Sequence, residues 1–208
     1  MLETSAEFHQ LQLSCARSGG LIRDLHPHLI PNDDHEMRLK SYVLLCHAAF
    51  EEYLEKASLV TLEHAFAVFE DGAGIPKALF ALASYYENPV QKNLTNFRAT
   101  THHRSICRDA FQWAIQSHRA ALADVHGIRT HHQDSVFMPL GIKVHSFDHI
   151  LSQALNSYGQ GRGRVAHEFR IAHQHPRAAC EQNVKQVIQL LLPFDQMLNS
   201  YSGELFML

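Results

Sequence analysis

The hydrophobic positions of this 208-residue chain follow a helical period over most of its length. The clearest stretch extends from about residue 35 to residue 70. There Leu39, Val43, Cys46, Phe50 and Leu54 step by three and four and form one buried stripe. Signals for strands are scarce, and no sustained alternation of period two occurs. The pattern therefore predicts an all-α protein.

Turn residues divide this pattern into a predicted single helical bundle of about five to seven helices. The helices are expected at about Ser5–Leu29, His35–Glu70, Pro76–Glu87, His103–His126, Val144–Ser157 and Pro176–Tyr201. Gly127–Pro139 is predicted to be a polar loop, the segment Tyr158–Gly163 to break a helix, and Pro193 to kink the last one. We expect one domain over residues 1–208, with a core at about 35–200 and an N-terminal helix at 5–29 packed on it.

Composition places the chain among soluble globular proteins. Hydrophobic residues make up 46% and charged residues 19% of the sequence. The first residues show no signal peptide, and the apolar runs fall well short of the roughly 20 residues that span a bilayer. The four cysteines lie far apart and are expected to be free thiols. These features predict a cytoplasmic protein without membrane contact.

Charge is distributed unevenly along the chain, although the formal net charge is only -3. Residues 160–177 contain four arginines and one glutamate, and residues 97–132 contain five arginines and two aspartates. A net charge this small argues against a general nucleic-acid coat. It leaves room for a local basic site that contacts phosphates.

The segment Gly161-Arg162-Gly163-Arg164-Val165-Ala166-His167-Glu168 carries the strongest candidate chemistry. It places Arg162 five residues before His167, just ahead of the last long helix, and resembles the Arg-x4–6-His signature of the HEPN superfamily. The Ala48–Leu54 segment, with its acidic Glu51, resembles a helix of many bacterial HEPN proteins. The long apolar C-terminal helix that contains Asp195 also fits that architecture. The resemblance covers roughly residues 35–200.

The chemistry of the two signature residues suits RNA cleavage. Histidine titrates near neutrality, so His167 can transfer a proton to or from a ribose hydroxyl or a leaving oxygen. Arginine stays charged and offers a planar fork, so Arg162 can bind the scissile phosphate. Such a pair needs neither metal nor cofactor. Glu51, which could orient the arginine or the histidine, and Arg164 are second-rank candidates.

The resemblance implies a HEPN-like fold and a metal-independent endoribonuclease that cleaves RNA as a toxin or antiviral defence effector. It also implies a homodimer with a composite active site, and an inhibitory antitoxin or regulatory partner. Five residues of straight helix turn Arg162 and His167 about 140° apart. The glycines at 161 and 163 are expected to relieve this by bending the helix start, and a dimer by bringing two motifs to one cleft.

Two alternatives remain open. HEPN proteins usually carry a polar residue directly after the signature arginine, whereas this chain has Gly163. That departure favours a catalytically silent HEPN bundle that binds nucleotide, RNA or protein, unless Arg164 takes over the polar role. The 17 histidines instead suggest a metal-binding helical protein. The candidate ligands for it are His102-His103, His131-His132, His173 with His175, and His103 with Cys107. Hydrolysis by a cysteine has no support, because no cysteine lies in an activated setting.

Overall fold

The computed structural model describes residues 3–28, 32–86, 103–167 and 176–206, with the side chains of residues 103 and 164–167 left undescribed. Within these ranges the chain forms eight α-helices and no named strand. They are α1 (Ala6–Ser18), α2 (Asp33–Glu70), α3 (Lys77–Tyr85), α4 (His103–Leu122), α5 (Thr130–Phe137), α6 (Val144–Phe147), α7 (His149–His167) and α8 (Arg177–Tyr201). Short 3-10 turns occur at Gly19–Leu21 and Met138–Leu140. The predicted all-α fold is confirmed.

Helix α2 is the central element of the bundle. It begins where the Asn32 side chain accepts a hydrogen bond from the backbone N–H of His35, and it continues for 38 residues. Its apolar stripe is buried, with Leu39, Cys46, Phe50 and Leu54 almost fully excluded from solvent. Because further buried residues extend around this stripe, α2 packs against α1, α3, α4, α5, α7 and α8.

A buried carboxylate fastens the N-terminus of α1 to the bundle. Asp195 of α8 is 1% exposed and accepts hydrogen bonds from the backbone N–H of Ser5 at 2.8 Å and from the Ser5 hydroxyl. The hydroxyl of Tyr53 on α2 donates to the same carboxylate at 3.1 Å. Helix α1 therefore packs on α2 and α8, and it ends at Ser18, short of the predicted Leu29, because the chain tightens into the 3-10 turn at the two glycines.

The structure corrects two predictions near the signature. Gly127–Pro139 is not a loop, because residues Thr130–Phe137 form α5, which buries Val136 and Phe137. The segment Tyr158–Gly163 does not break a helix, since α7 continues through it to His167. Gly159 and Gly163 of α7 pack closely against the turn before α5, and this packing offsets the low helix propensity of glycine.

The predicted helix Val144–Ser157 is divided at Asp148 into α6 and α7, whereas α3, α4 and α8 lie close to their predicted positions. Helix α8 runs from Arg177 to Tyr201 with Pro193 inside it, and α4 begins at His103 as predicted. None of the helices in the described part of the chain combines the length and apolar character needed to cross a membrane.

Candidate active site

An open cleft lies between α2, the turn before α5 and the C-terminal half of α7, and we call it the Arg162 cleft. Its volume is about 350 Å³. The side chains and backbone that line it are His47, His126, Gly127, Ile128, Arg129, His132, Gly159, Gln160, Arg162 and Gly163. The cleft therefore combines two arginines with three histidines.

Helix α7 carries Arg162 into this cleft. The helix begins where the Asp148 carboxylate accepts hydrogen bonds from the backbone N–H groups of Ile150 and Leu151, at 2.8 and 3.2 Å. Further along, the Tyr158 hydroxyl donates to the backbone carbonyl of Val43 at 3.2 Å and so ties α7 to α2. Arg162 follows one turn later and is exposed to solvent. Its position is thus set by a helix anchored at its start and near its middle.

His47 forms the α2 side of the cleft and is only 3% exposed. Burial, together with the charges of Arg162, His132 and Arg129, lowers the pKa of His47 to about 4. The imidazole is therefore neutral at pH 7, and its ring stacks on that of Tyr158 at a centroid distance of 6.5 Å. A neutral, buried histidine is better suited to shaping the cleft than to binding an anion by charge.

Glu51 lies one helical turn after His47 on α2, at the edge of the Arg162 cleft. Its Oε2 is 3.5 Å from Nδ1 of His47, and its Oε1 is 4.0 Å from Nδ1 of the exposed His126. The Glu51 side chain is 21% exposed. These distances are longer than ordinary hydrogen bonds, so the carboxylate makes only weak electrostatic contacts with two lining histidines.

The turn before α5 supplies the opposite wall. Gly127 has a φ of 134°, which favours glycine, and an ideal Cβ placed there would lie 2.6 Å from the ring of His132. The next residue, Ile128, is fully buried. The buried Gln133 donates to the carbonyls of Ile128 at 2.9 Å and Ser152 at 3.2 Å. This buried bridge fixes the turn against α7.

His132 also contributes to this wall. Its Nδ1 accepts a 3.3 Å hydrogen bond from the backbone N–H of Arg129. Partial burial and the nearby charges of His131, Arg129 and His126 lower the pKa of His132. The neutral form of this imidazole is therefore favoured near neutral pH.

The two lining arginines differ from four other arginines of the described bundle, which pair with acidic side chains. Arg38, Arg108, Arg119 and Arg177 each form an ion pair with a carboxylate. Among the described side chains, Arg129 and Arg162 have no carboxylate within 4.0 Å. Within the described part of the chain, no carboxylate therefore neutralises either of these two charges.

The structure brings together some of the sequence-predicted site residues. Arg162 lines the cleft, and Glu51 contacts two of its histidines. The expectation that glycines bend the helix start is wrong, since Gly161 and Gly163 lie within α7. Because the helix is continuous, the backbone positions of Arg162 and His167 are about 140° apart around its axis. The side chains of Arg164 and His167 lie outside the described residues.

Sequence reasoning missed the contributions of His47, His126, Arg129 and His132. His47 stands four residues before Glu51, and this helical spacing was an available signal. Arg129 belongs to the basic segment 97–132, but its place in the cleft depends on a turn that the sequence pattern predicts to be part of a loop.

The histidine pairs considered as metal ligands have separate outcomes. In the described part of the chain, no group of three or more histidine, cysteine, aspartate or glutamate residues is placed to hold a metal ion. His131 and His132 are ring neighbours at 3.8 Å. His102, His173, His175 and the side chain of His103 lie outside the described residues.

Comparison with known proteins assigns the class that the fold and the cleft indicate. Residues 20–192 match the model of the RiboL-PSP-HEPN family. Because this match covers most of the chain, the protein belongs to the RiboL-PSP-HEPN family and hence to the HEPN superfamily that the signature predicts. No curated protein and no solved structure matches the chain.

Proposed function

We propose that this protein is a metal-independent endoribonuclease. The observation that supports this best is the Arg162 cleft, where the signature arginine lines an open, cationic surface beside three histidines. In the proposed reaction the ribose 2′-oxygen attacks the adjacent phosphorus while the bond from phosphorus to the 5′-oxygen breaks. The 2′-hydroxyl proton passes to a base, and an acid gives a proton to the leaving 5′-oxygen. The products are a 2′,3′-cyclic phosphate and a 5′-hydroxyl.

Each candidate residue has its own role in the proposed reaction. Arg162 binds the scissile phosphate and stabilises the charge that develops on it. His167 transfers the proton, because histidine is the residue type whose ordinary pKa lies near neutrality. Arg164 is a second candidate for phosphate binding. Glu51 acts as a positioning residue through its contacts with His47 and His126.

A homodimer completes the proposed site. Within one continuous α7, Arg162 and His167 are on different sides of the helix, so a single motif does not place both side chains on one face. Two copies that meet near their α7 helices supply two arginines and two histidines, which is enough for one acid and one base. The size of the protein in solution, measured by light scattering, tests this: a dimer is expected, and a strict monomer would contradict it.

The alternative is a catalytically silent binding module. The continuity of α7 favours it, because helix geometry separates the two signature residues, and so does Gly163 in the usually polar position. In that case the cleft would bind RNA or a nucleotide through its arginines and leave it intact.

Cleavage of RNA in the presence of EDTA separates the two proposals. The parent should cut a mixed single-stranded RNA, whereas Arg162→Ala and His167→Ala, of confirmed helix content, should not. Arg119→Ala is the matched control, because that arginine pairs with Glu63 outside the cleft and its loss should leave cleavage unchanged. If the parent is inert while it binds the same RNA, the binding module is correct. If EDTA alone stops cleavage, the metal-free mechanism is wrong.

We propose the cytoplasm as the place of action and a toxin or antiviral effector as the role. Both proposals follow from the superfamily and from RNA as substrate. We also propose that an inhibitory antitoxin or a regulatory partner controls the protein. Induced expression in a bacterial host tests the role: the parent should stop growth and Arg162→Ala should not, and unaffected growth with the parent would contradict a free toxin.

A further inference from the structure

Arg129 lies in a groove on α7 that two glycines create. Gly159 and Gly163 are one helical turn apart and therefore occupy one face of the helix. An ideal Cβ on Gly159 would lie 3.2 Å from Cγ of Arg129, and one on Gly163 would lie 2.8 Å from its Nη2. The stem of Arg129 thus passes over Gly159, and its guanidinium reaches the space that a side chain at position 163 would fill.

The backbone that carries Arg129 is held firmly. Ile128 is fully buried, and its carbonyl accepts the 2.9 Å hydrogen bond from the buried Gln133. The backbone N–H of Arg129 itself donates to His132. The guanidinium therefore extends from a fixed turn and has no carboxylate partner among the described side chains.

We infer that Arg129 is a second phosphate-binding residue of the Arg162 cleft, and that Gly163 is required because it leaves room for the Arg129 guanidinium. The ligand is an RNA phosphodiester, held by two arginines that come from two separate segments of the chain. On this inference, the polar group absent directly after Arg162 is supplied by Arg129. The inference rests on the proposed RNA substrate but not on cleavage.

Binding can be measured without cleavage by using a short fluorescein-labelled 2′-O-methyl oligoribonucleotide, which lacks the attacking hydroxyl. Its Kd is measured by fluorescence anisotropy between about 50 and about 200 mM KCl. Arg129→Gln should weaken binding about tenfold, since a charge-assisted contact with phosphate is lost. It should also reduce the slope of log K against log salt by about 0.7, the value for one phosphate contact on a single strand.

Two matched controls accompany this variant. Arg129→Lys keeps the charge and should retain the salt slope. Arg119→Gln removes one charge outside the cleft and should leave the slope unchanged. If Arg129→Gln binds like Arg119→Gln, Arg129 serves packing alone and the inference is wrong.

A pair of glycine variants tests the groove separately from fold stability. A Cβ at Gly161 meets no atom within 4 Å, whereas a Cβ at Gly163 would displace the mobile end of Arg129. Both Gly161→Ala and Gly163→Ala should keep the Tm at or above the parent value, because alanine favours the helix. Only Gly163→Ala should weaken binding, by about threefold. This corresponds to half the change in binding free energy expected for Arg129→Gln, because the guanidinium is displaced and not removed. If the two variants bind RNA with equal affinity, the inferred role of Gly163 is wrong.

Failure of this inference differs from failure of the nuclease. If the parent cuts RNA and Arg129→Gln binds and cuts as well as the parent, only the role of Arg129 is wrong. If the parent binds the modified RNA through Arg129 yet leaves unmodified RNA intact, the phosphate site stands and the nuclease does not. A parent that fails to bind at about 50 mM KCl overturns the site itself.

Discussion

Acid should destabilise this bundle through His118, which is fully buried on α4. Its Nδ1 is 3.2 Å from the Tyr86 hydroxyl and its Nε2 is 3.4 Å from the Ser58 hydroxyl. Burial lowers the pKa of His118 to about 4. His118→Gln removes the titrating group and keeps a polar side chain for these two hydroxyls.

The sign and the size follow from the shift in pKa. In the unfolded chain the imidazole titrates at about 6.5, so it takes up a proton before the folded chain does. The stability that neutral His118 allows is fully present above that pH and is lost as the pH falls toward 4. Between pH 7 and pH 5 the loss is about 2 kcal/mol. His47, whose pKa is also lowered to about 4, should add a smaller loss, because it borders the open cleft and Glu51 lies 3.5 Å from its Nδ1.

Urea unfolding at pH 7 and pH 5, followed by the fluorescence of the single tryptophan Trp113, measures these losses. Between the two pH values the parent should lose at least about 2 kcal/mol, and His118→Gln should lose about 2 kcal/mol less than the parent. The control His64→Gln changes an exposed histidine of α2 and should follow the parent. If His118→Gln loses as much stability as the parent, protonation of His118 is not coupled to unfolding and the reasoning is refuted.

Three further substitutions probe the fold and the cleft. Asp195→Asn should lower the free energy of unfolding by about 2 kcal/mol, because an amide cannot accept all the hydrogen bonds that the carboxylate accepts. The control Asp124→Asn, at an exposed position, should change this free energy by less than about 0.5 kcal/mol. Equal losses for the two variants in urea unfolding would contradict the prediction. Gly127→Ala should cost about 2 kcal/mol in the same assay through its positive φ and its contact with the neighbouring imidazole, and an unchanged midpoint would show that the turn can relax. Glu51→Gln should slow RNA cleavage about tenfold and change the free energy of unfolding by less than about 1 kcal/mol. The control Glu52→Gln changes an exposed glutamate and should leave the cleavage rate unchanged. If the two variants cleave RNA at the same rate, Glu51 is not part of the site.

The long helices could be predicted from the sequence because their signals are local. The stripe through Leu39, Phe50 and Leu54 and the stop after Glu70 place α2 within two residues of its observed start. Helix α8 begins one residue after its predicted start at Pro176. Periodicity and capping depend on neighbours along the chain, so these elements required no knowledge of the tertiary structure.

The prediction failed where distant residues decide the local conformation. Gly159, Gly161 and Gly163 predict a break, but two of them pack against the turn of Arg129 and remain helical. Thr130–Phe137 has few apolar residues, and its helix is stabilised by the buried side chain of Gln133, which contacts α7. Neither contact can be read from spacing along the chain.

The candidate site was likewise only partly predictable. The signature indicated Arg162, and the resemblance of the Ala48–Leu54 segment to a helix of bacterial HEPN proteins indicated Glu51. Arg129 and His132 enter the cleft from a different segment through the conformation of Gly127. A motif therefore located one wall of the cleft, and tertiary packing supplied the other.

The chemical nature of the RNA ends tests the central claim most directly. The parent is incubated with a short RNA of defined sequence in EDTA, and the products are analysed by mass spectrometry. Attack by the ribose 2′-oxygen at the Arg162 cleft predicts fragments that end in a 2′,3′-cyclic phosphate and begin with a 5′-hydroxyl, and it predicts no cutting at a linkage whose 2′-hydroxyl has been replaced by hydrogen. Fragments with a 3′-hydroxyl and a 5′-phosphate, or equal cutting at the 2′-deoxy linkage, would contradict the account.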